Sequence, residues 1–245
     1  MAGTVAHESS LGRRVRTYWD SHIHDLAITR HEVGSSGFFA DLDQYHFEKL
    51  HHLQRLADFT GPPGRRVLDV GCGTGVDLVH FARGGASATG VDASQAAIRL
   101  ASKNLGHQHL HAHLLVADGE DLPFRDRAFD CVSIGFGLRN VTHKERALAE
   151  MARVLAPGGI AVVLEFSHVS GPLAPLYDWY SFNVLPMLGR IVANDAASYR
   201  YLAESIRVHP DQDELKSLME RSGFDRVDYY NLVAGAVALH AGRVY

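Results

Sequence analysis

From residue 66 onward, short apolar runs alternate with amphipathic stretches. "RVLDVGCGTG" (66–75), "ASATGVDAS" (86–94), "HLLVADGEDLPF" (113–124), "FDCVSIGFG" (129–137) and "GGIAVVLEFS" (158–167) each predict a strand. Between them, "VDLVHFAR", "SQAAIRLASKNL" and "HKERALAEMARVLAPGG" place apolar residues at helical spacing, and Pro157, Gly158 and Gly159 give the last a stop signal. Strands alternating with helices imply parallel βαβ units, and such sheets carry their ligands just beyond the carboxyl ends of the strands.

Residues 168–208 break the rhythm with aromatic residues and prolines over a stretch too long for a simple loop, which predicts a helical insertion or lid. Its Tyr177, Trp179, Tyr180, Phe182, Leu185, Met187 and Leu188 suit either packing on the sheet edge or a wall around a greasy acceptor. "HPDQDELKSLMERSGF" predicts a helix with Pro210 in its first turn and Gly223 past its end, and "FDRVDYYNLVAGAVALHAGRVY" predicts two final strands. The first 65 residues predict a helical cover for the sheet, with Trp19, Phe38, Phe39, Tyr45 and Phe47 as its apolar contacts. One α/β domain over residues 1–245 is the expected organisation.

Composition narrows the function. A net charge of −4 gives no global basic field, so no nucleic-acid partner is expected. No window is apolar enough to span a bilayer and the start lacks a leader-like apolar stretch, from which a cytoplasmic location is expected. Cys72 and Cys131 stand far apart without CxxC spacing, so neither a zinc site nor a disulfide framework is expected. His107, His109, His111 and His113 would share one face if extended, but they lie upstream of a strand without acidic or thiol partners and read as a solvated edge. His22 and His24 read the same way.

"DVGCGTG" sets Gly71, Gly73 and Gly75 around Thr74 in a turn where the backbone can approach a ligand closely. A dinucleotide fingerprint would need glycine at 76, where Val76 stands. Asp69, inside the apolar run, would repel a pyrophosphate and calls for a donor-rich or cationic neighbour. Asp92 ends the second strand where a carboxylate can take both hydroxyls of a ribose, a spacing that suits NAD and S-adenosylmethionine equally. Asp118, followed by Gly119 past the third strand, stands where it can accept from an adenine amino group. Three acids at three successive strand ends fit a ligand with an ammonium, a sulfonium, a ribose diol and an adenine but no phosphate, which is S-adenosylmethionine. Helix capping by Asp92 and Asp118 is the competing structural account.

From about residue 115 the chain closely resembles the C-methyltransferases of ubiquinone and menaquinone biosynthesis. The resemblance rests on "LPF", "FDCVSIGFGLRNVT", "RVLAPGGIAVVLEFS", "YDWYSFNVLP", "GRIVANDAASYRYLAESIRVHPDQDELK", "GFDRVDYYNL" and "VALH". It implies a seven-stranded class I methyltransferase sheet whose last strand is antiparallel, S-adenosylmethionine as cofactor and a reduced, prenylated quinone as substrate. Contact with a membrane is then expected to be slight and peripheral, through the 168–208 segment, and a homo-oligomer is left open. The amino-terminal part departs from the family pattern, Ala156 replaces a usual lysine, and Gly135 stands beside the cofactor where family members often carry serine.

In "SIGFGLRNV", Arg139 and Asn140 follow a strand interior at once, on the acceptor side of the expected cofactor. For a quinol substrate, arginine is a poor base but a strong partner for a phenolate, and asparagine can orient the ring or the cofactor. A structural Arg139 paired with a surface acid is the alternative. Methylation of some other small molecule and a non-catalytic module that binds S-adenosylmethionine are the competing functions.

Overall fold

The computed structural model describes residue 17 and residues 28–49, 59–61, 63–168 and 196–245. In chain order the elements are α1 (Ser36–Lys49), β1 (Arg66–Val70), α2 (Val76–Arg83), β2 (Ser87–Asp92), α3 (Gln95–His107), β3 (His113–Val116) and β4 (Phe129–Gly135). A short 3-10 turn (Leu138–Asn140) leads to α4 (Lys144–Val154), β5 (Leu155–Phe166), α5 (Ala196–Arg207), α6 (Gln212–Arg221), β6 (Arg226–Leu232) and β7 (Val237–Arg243).

The seven strands form one sheet in the order β3-β2-β1-β4-β5-β7-β6. Strands β1 to β5 run parallel, and β7 lies antiparallel between β5 and β6. The order reverses between β1 and β4, so a crevice opens at their carboxyl ends, where ligands of such sheets bind.

Parallel strands covered on both faces must be apolar on both, which is why these runs read as continuous rather than alternating. On one face, Leu68, Val70, Val132, Ile134, Ala161 and Val163 pack under Leu148, Met151 and Val154 of α4 and Leu215 and Met219 of α6. On the other, Val67, Cys131, Val162 and Leu164 meet Leu78, Val79 and Phe81 of α2 and Phe47 of α1. Each such aliphatic side chain contributes roughly 1.5–3 kcal/mol on burial. Phe38 and Phe39 of α1 join Leu100 of α3, so α1 lies over α2 and α3. Trp19, His22 and His24 lie outside the described residues, as do the aromatics of residues 177–182 and the apolar residues at 185, 187 and 188.

Two local readings are corrected. The helix before β5 ends at Val154, and Pro157 and Gly158 lie within the strand, where register slips from Phe129↔Leu155 to Cys131↔Ile160. Gly158, at φ +81, lets the chain take this irregularity, so the glycines serve the strand rather than stop the helix. In α6 the cap is Asp211, which accepts from Glu214 N in a full capping box, so Pro210 precedes the helix instead of entering its first turn.

Candidate active site

The glycine turn sits at the crevice. Gly71 N and Cys72 N donate to Val91 O at 2.8 and 3.0 Å, and Gly75 N closes the turn on Cys72 O. Gly71 (φ +69) and Gly73 (φ +52) hold left-handed conformations, and a Cβ built on either would meet nothing within 4 Å. That open space beside bare backbone is a cradle for a ligand. Gly75 has another reason: its missing Cβ would lie 3.0 Å from Ala101 Cβ, so glycine lets α2 and α3 close up. Asn104 Nδ2 donates to Thr74 O at 3.1 Å and fixes the turn from α3.

Asp92 belongs to the same turn. Its Oδ2 accepts from Gly73 N at 3.0 Å and its Oδ1 from Ser94 N at 2.8 Å. A carboxylate can accept about four hydrogen bonds, a capacity that suits a ligand diol. Asp118 Oδ1 accepts from Glu120 N at 2.9 Å, which turns the chain after β3. Gly119 brings that loop against β1, because a Cβ there would stand 3.2 Å from Val70 Cγ1.

Asp69 is 4% exposed. Of the donor-rich or cationic neighbour that the sequence called for, the structure places a donor: Ser133 Oγ donates to Asp69 Oδ1 at 2.8 Å. Burial pushes its pKa up to about 8, Asp77 adds to the rise, and the Ser133 bond opposes it. At neutral pH the side chain therefore keeps its proton, which is how a buried carboxyl stands beside other acids. Asp77, in the first turn of α2, has its Oδ1 3.1 Å from His46 Nε2 of α1. A Cβ on Gly135 would come 3.6 Å from Asp77 Oδ2, so the end of β4 faces this acid. The Cys72 thiol is pushed well up, by burial first and then by Asp69 and Asp92, and stays protonated. It fills space in the turn rather than acting as a nucleophile.

Past β4 the backbone of Phe136 takes φ +53, a conformation a bulky residue adopts only under constraint. Arg139 Nη1 and Asn140 Nδ2 both donate to the Phe136 carbonyl, the latter at 3.4 Å, and hold that conformation. Arg139 is buried, and its partner is an acid inside β5 rather than at the surface. Glu165, 1% exposed, accepts Arg139 N on Oε1 and Arg139 Nη1 on Oε2 at 3.3 Å. Burial raises the Glu165 pKa and the Arg139 charge opposes the rise. Asn140 Oδ1 accepts from Tyr201 OH of α5 at 3.0 Å.

Sequence reasoning passed over Asp77, Ser133, Glu165 and Tyr201. Glu165 carried the same signal as Asp69, an acid within an apolar strand. The histidine run is not drawn together: His109, His111 and His113 are exposed and His107 Nε2 lies 3.1 Å from Gly34 O. Among the described residues, no group of three or more His, Cys, Asp or Glu is placed to hold a metal, and no helix is long and apolar enough to cross a membrane.

Comparison with known proteins agrees with this architecture. The chain is 57% identical over 184 residues to the ubiquinone/menaquinone biosynthesis C-methyltransferase UbiE of Bordetella avium, covering 74% of this chain and 72% of that protein. With UbiE of Cupriavidus pinatubonensis it shares 48% over 209 residues, 84% of this chain and 86% of the other. A SAM dependent methyltransferase from Aquifex aeolicus superposes with a TM-score of 0.61 at 17% identity, over 84% of this chain and 97% of that one, and shows the class I methyltransferase fold. The sequence model of one family matches residues 45–244, and with it the chain belongs to the ubiE/COQ5 methyltransferase family.

Proposed function

We propose that this chain is an S-adenosylmethionine-dependent C-methyltransferase that methylates a ring carbon of a reduced, prenylated quinone. The similarity to C-methyltransferases of ubiquinone and menaquinone biosynthesis, over about three quarters of the chain or more, carries the reading. The cradle fits the cofactor on its own chemistry: bare backbone at Gly71 and Gly73, and the Asp92 carboxylate in the same turn, where a phosphate-bearing ligand would be repelled. Asp92 would take the ribose hydroxyls, and Asp118 the adenine amino group, beside Gly119. Asp69 would face the cationic end and lose its proton beside that charge, with Thr74, Gly75 and Gly135 proposed as further cofactor contacts. The cofactor supplies a methyl group on a sulfonium.

On the acceptor side, a quinol carbon attacks only as its hydroxyl loses a proton, so a phenolate must be held. The proposed holders are Arg139 and Asn140. Glu165 and the Phe136 carbonyl already engage Nη1 of Arg139, while its Nε is buried and, among the described residues, has no hydrogen-bond partner. That N–H is the part of the fork offered to an oxyanion. A prenylated acceptor implies peripheral membrane contact, proposed through residues 168–208, and the cytoplasm is the proposed location.

The test is complementation of a strain lacking its own quinone C-methylase, with mass spectrometry of the extracted quinones. A gain of one methyl on the ring is expected. Quinones left unmethylated by a soluble, cofactor-binding protein would refute the acceptor.

A further inference from the structure

Beyond the carboxyl ends of β4 and β5 lie buried polar atoms that no described residue answers. Arg139 Nε, Ser167 Oγ and both ring nitrogens of His209 are buried and, among the described residues, have no hydrogen-bond partner. Arg139 is 7% exposed, and Ser167 and His209 are 3% exposed.

These side chains come from three segments that meet. Ser167 lies one residue past the end of β5 and two beyond Glu165, and Glu165 grips Arg139. His209 stands between α5 and α6, and its carbonyl accepts from His168 Nε2 at 3.1 Å, next to Ser167. Arg139, Lys144 and His168 are close enough to act on its ring electrostatically. Unanswered buried polar atoms cost stability, so a group of them at a ligand-binding edge marks a place something else completes.

Their chemistry selects the guest. Burial, reinforced by Lys144 and Arg139, lowers the His209 pKa to about 3, so the ring is neutral and offers one donor and one acceptor. Ser167 can give or take a hydrogen bond, and Arg139 Nε only donates. Arg139 and Lys144 exclude a cation, and Glu165, paired with Arg139, offsets part of their charge, so the site does not match the multiple charge of a phosphate. An aromatic hydroxyl, which donates and accepts and gains negative charge on activation, satisfies all of them.

We propose that His209 and Ser167 form, beside Arg139 Nε, a buried subsite for a ring hydroxyl of the acceptor, with His209 as a specificity-determining residue. This rests on the quinol reading. A neutral His209 holds the hydroxyl without removing its proton, and Ser167 fixes the direction of its O–H.

Steady-state kinetics of the full chain with a short-chain prenylated quinol, kept reduced under anaerobic conditions, tests this. His209→Leu should raise KM for the quinol about tenfold or more, as loss of a buried hydrogen-bond partner does. It should leave S-adenosylmethionine affinity unchanged and Tm unchanged or higher, since an unanswered polar group has gone. His209→Gln, which keeps a neutral donor and acceptor, should recover part of the KM loss. Ser167→Ala gives an independent reading, with a smaller rise in KM expected. Wild-type KM in both His209→Leu and Ser167→Ala would overturn the subsite, as would a lowered Tm with unaltered kinetics. If wild-type protein binds S-adenosylmethionine but leaves quinols unmethylated, the quinol reading fails, and calorimetry with plain hydroquinone decides the subsite. Binding lost in His209→Leu supports it, and no binding to the wild type overturns it.

Discussion

Glu165 holds Arg139 twice, taking its backbone N–H at 3.0 Å on one oxygen and Nη1 at 3.3 Å on the other. Both side chains are nearly fully buried, so neither charge has water to fall back on. Removing one partner of such a pair typically costs about 3–5 kcal/mol, because the other is left uncompensated. Glu165→Gln should therefore lower unfolding stability by that order, and Arg139→Leu likewise. The double variant Glu165→Gln/Arg139→Leu should lose less than the sum, by urea denaturation. Additive losses would mean the pair is not coupled.

Asp69 makes the empty protein sensitive to alkali. Its pKa is about 8 in the fold, raised first by burial, against about 4 in an unfolded chain. Between these values the folded state binds more protons, so stability falls as pH rises. The contribution is full below pH 4 and gone once pH passes 8. Asp69→Asn should flatten this slope, measured as Tm against pH from 5 to 9. Cofactor binding at pH 7 should also release a proton as Asp69 ionises beside the incoming positive charge. Calorimetry in buffers of different ionisation enthalpy reads that proton directly, and it should vanish in Asp69→Asn. Identical pH slopes in the two proteins would remove Asp69 from the titration.

The alternation of parallel strands with helices was legible because βαβ units leave a strong imprint: apolar runs such as "AVVLEF" separated by helical periods such as that of α4. The glycine turn was legible for a similar reason, since Gly71, Gly73 and Gly75 act through backbone conformations that are local in sequence. The partners of Asp69 and Arg139 were not. Ser133 and Glu165 meet them across 64 and 26 residues, and sequence spacing carries no record of which strands lie side by side. For Asp69 the sequence left a donor-rich and a cationic neighbour open, and a buried acid that keeps its proton is satisfied by the donor alone.

Asp92 does two jobs at once, and its removal should show both. Asp92→Ala deletes the acceptor for Gly73 N and Ser94 N along with the proposed acceptor for the ribose hydroxyls. Affinity for S-adenosylmethionine should fall by about 1–3 kcal/mol by calorimetry, the usual cost of unanswered buried polar groups. Asp92→Asn keeps an acceptor oxygen and should lose less. Unchanged affinity in Asp92→Ala would exclude it from the cofactor site.

The proposed acceptor-side role of Asn140 makes Tyr201 its positioning residue. Its hydroxyl donates to Asn140 Oδ1 at 3.0 Å, while the amide nitrogen leans on the Phe136 carbonyl at 3.4 Å, so the amide is held at both ends. Without the hydroxyl, the longer contact alone must set the orientation of the amide. A hydrogen bond of net 0.5–1.5 kcal/mol is at stake, so Tyr201→Phe should lower kcat by about 2- to 13-fold with cofactor affinity unchanged. Asn140→Ala should lower kcat further, since it removes the group being positioned. The double variant Tyr201→Phe/Asn140→Ala should then be no slower than Asn140→Ala, because a positioning residue has nothing left to position. A double variant slower by the full product of the two single effects would show that Tyr201 reaches the acceptor independently, and the positioning role would be withdrawn.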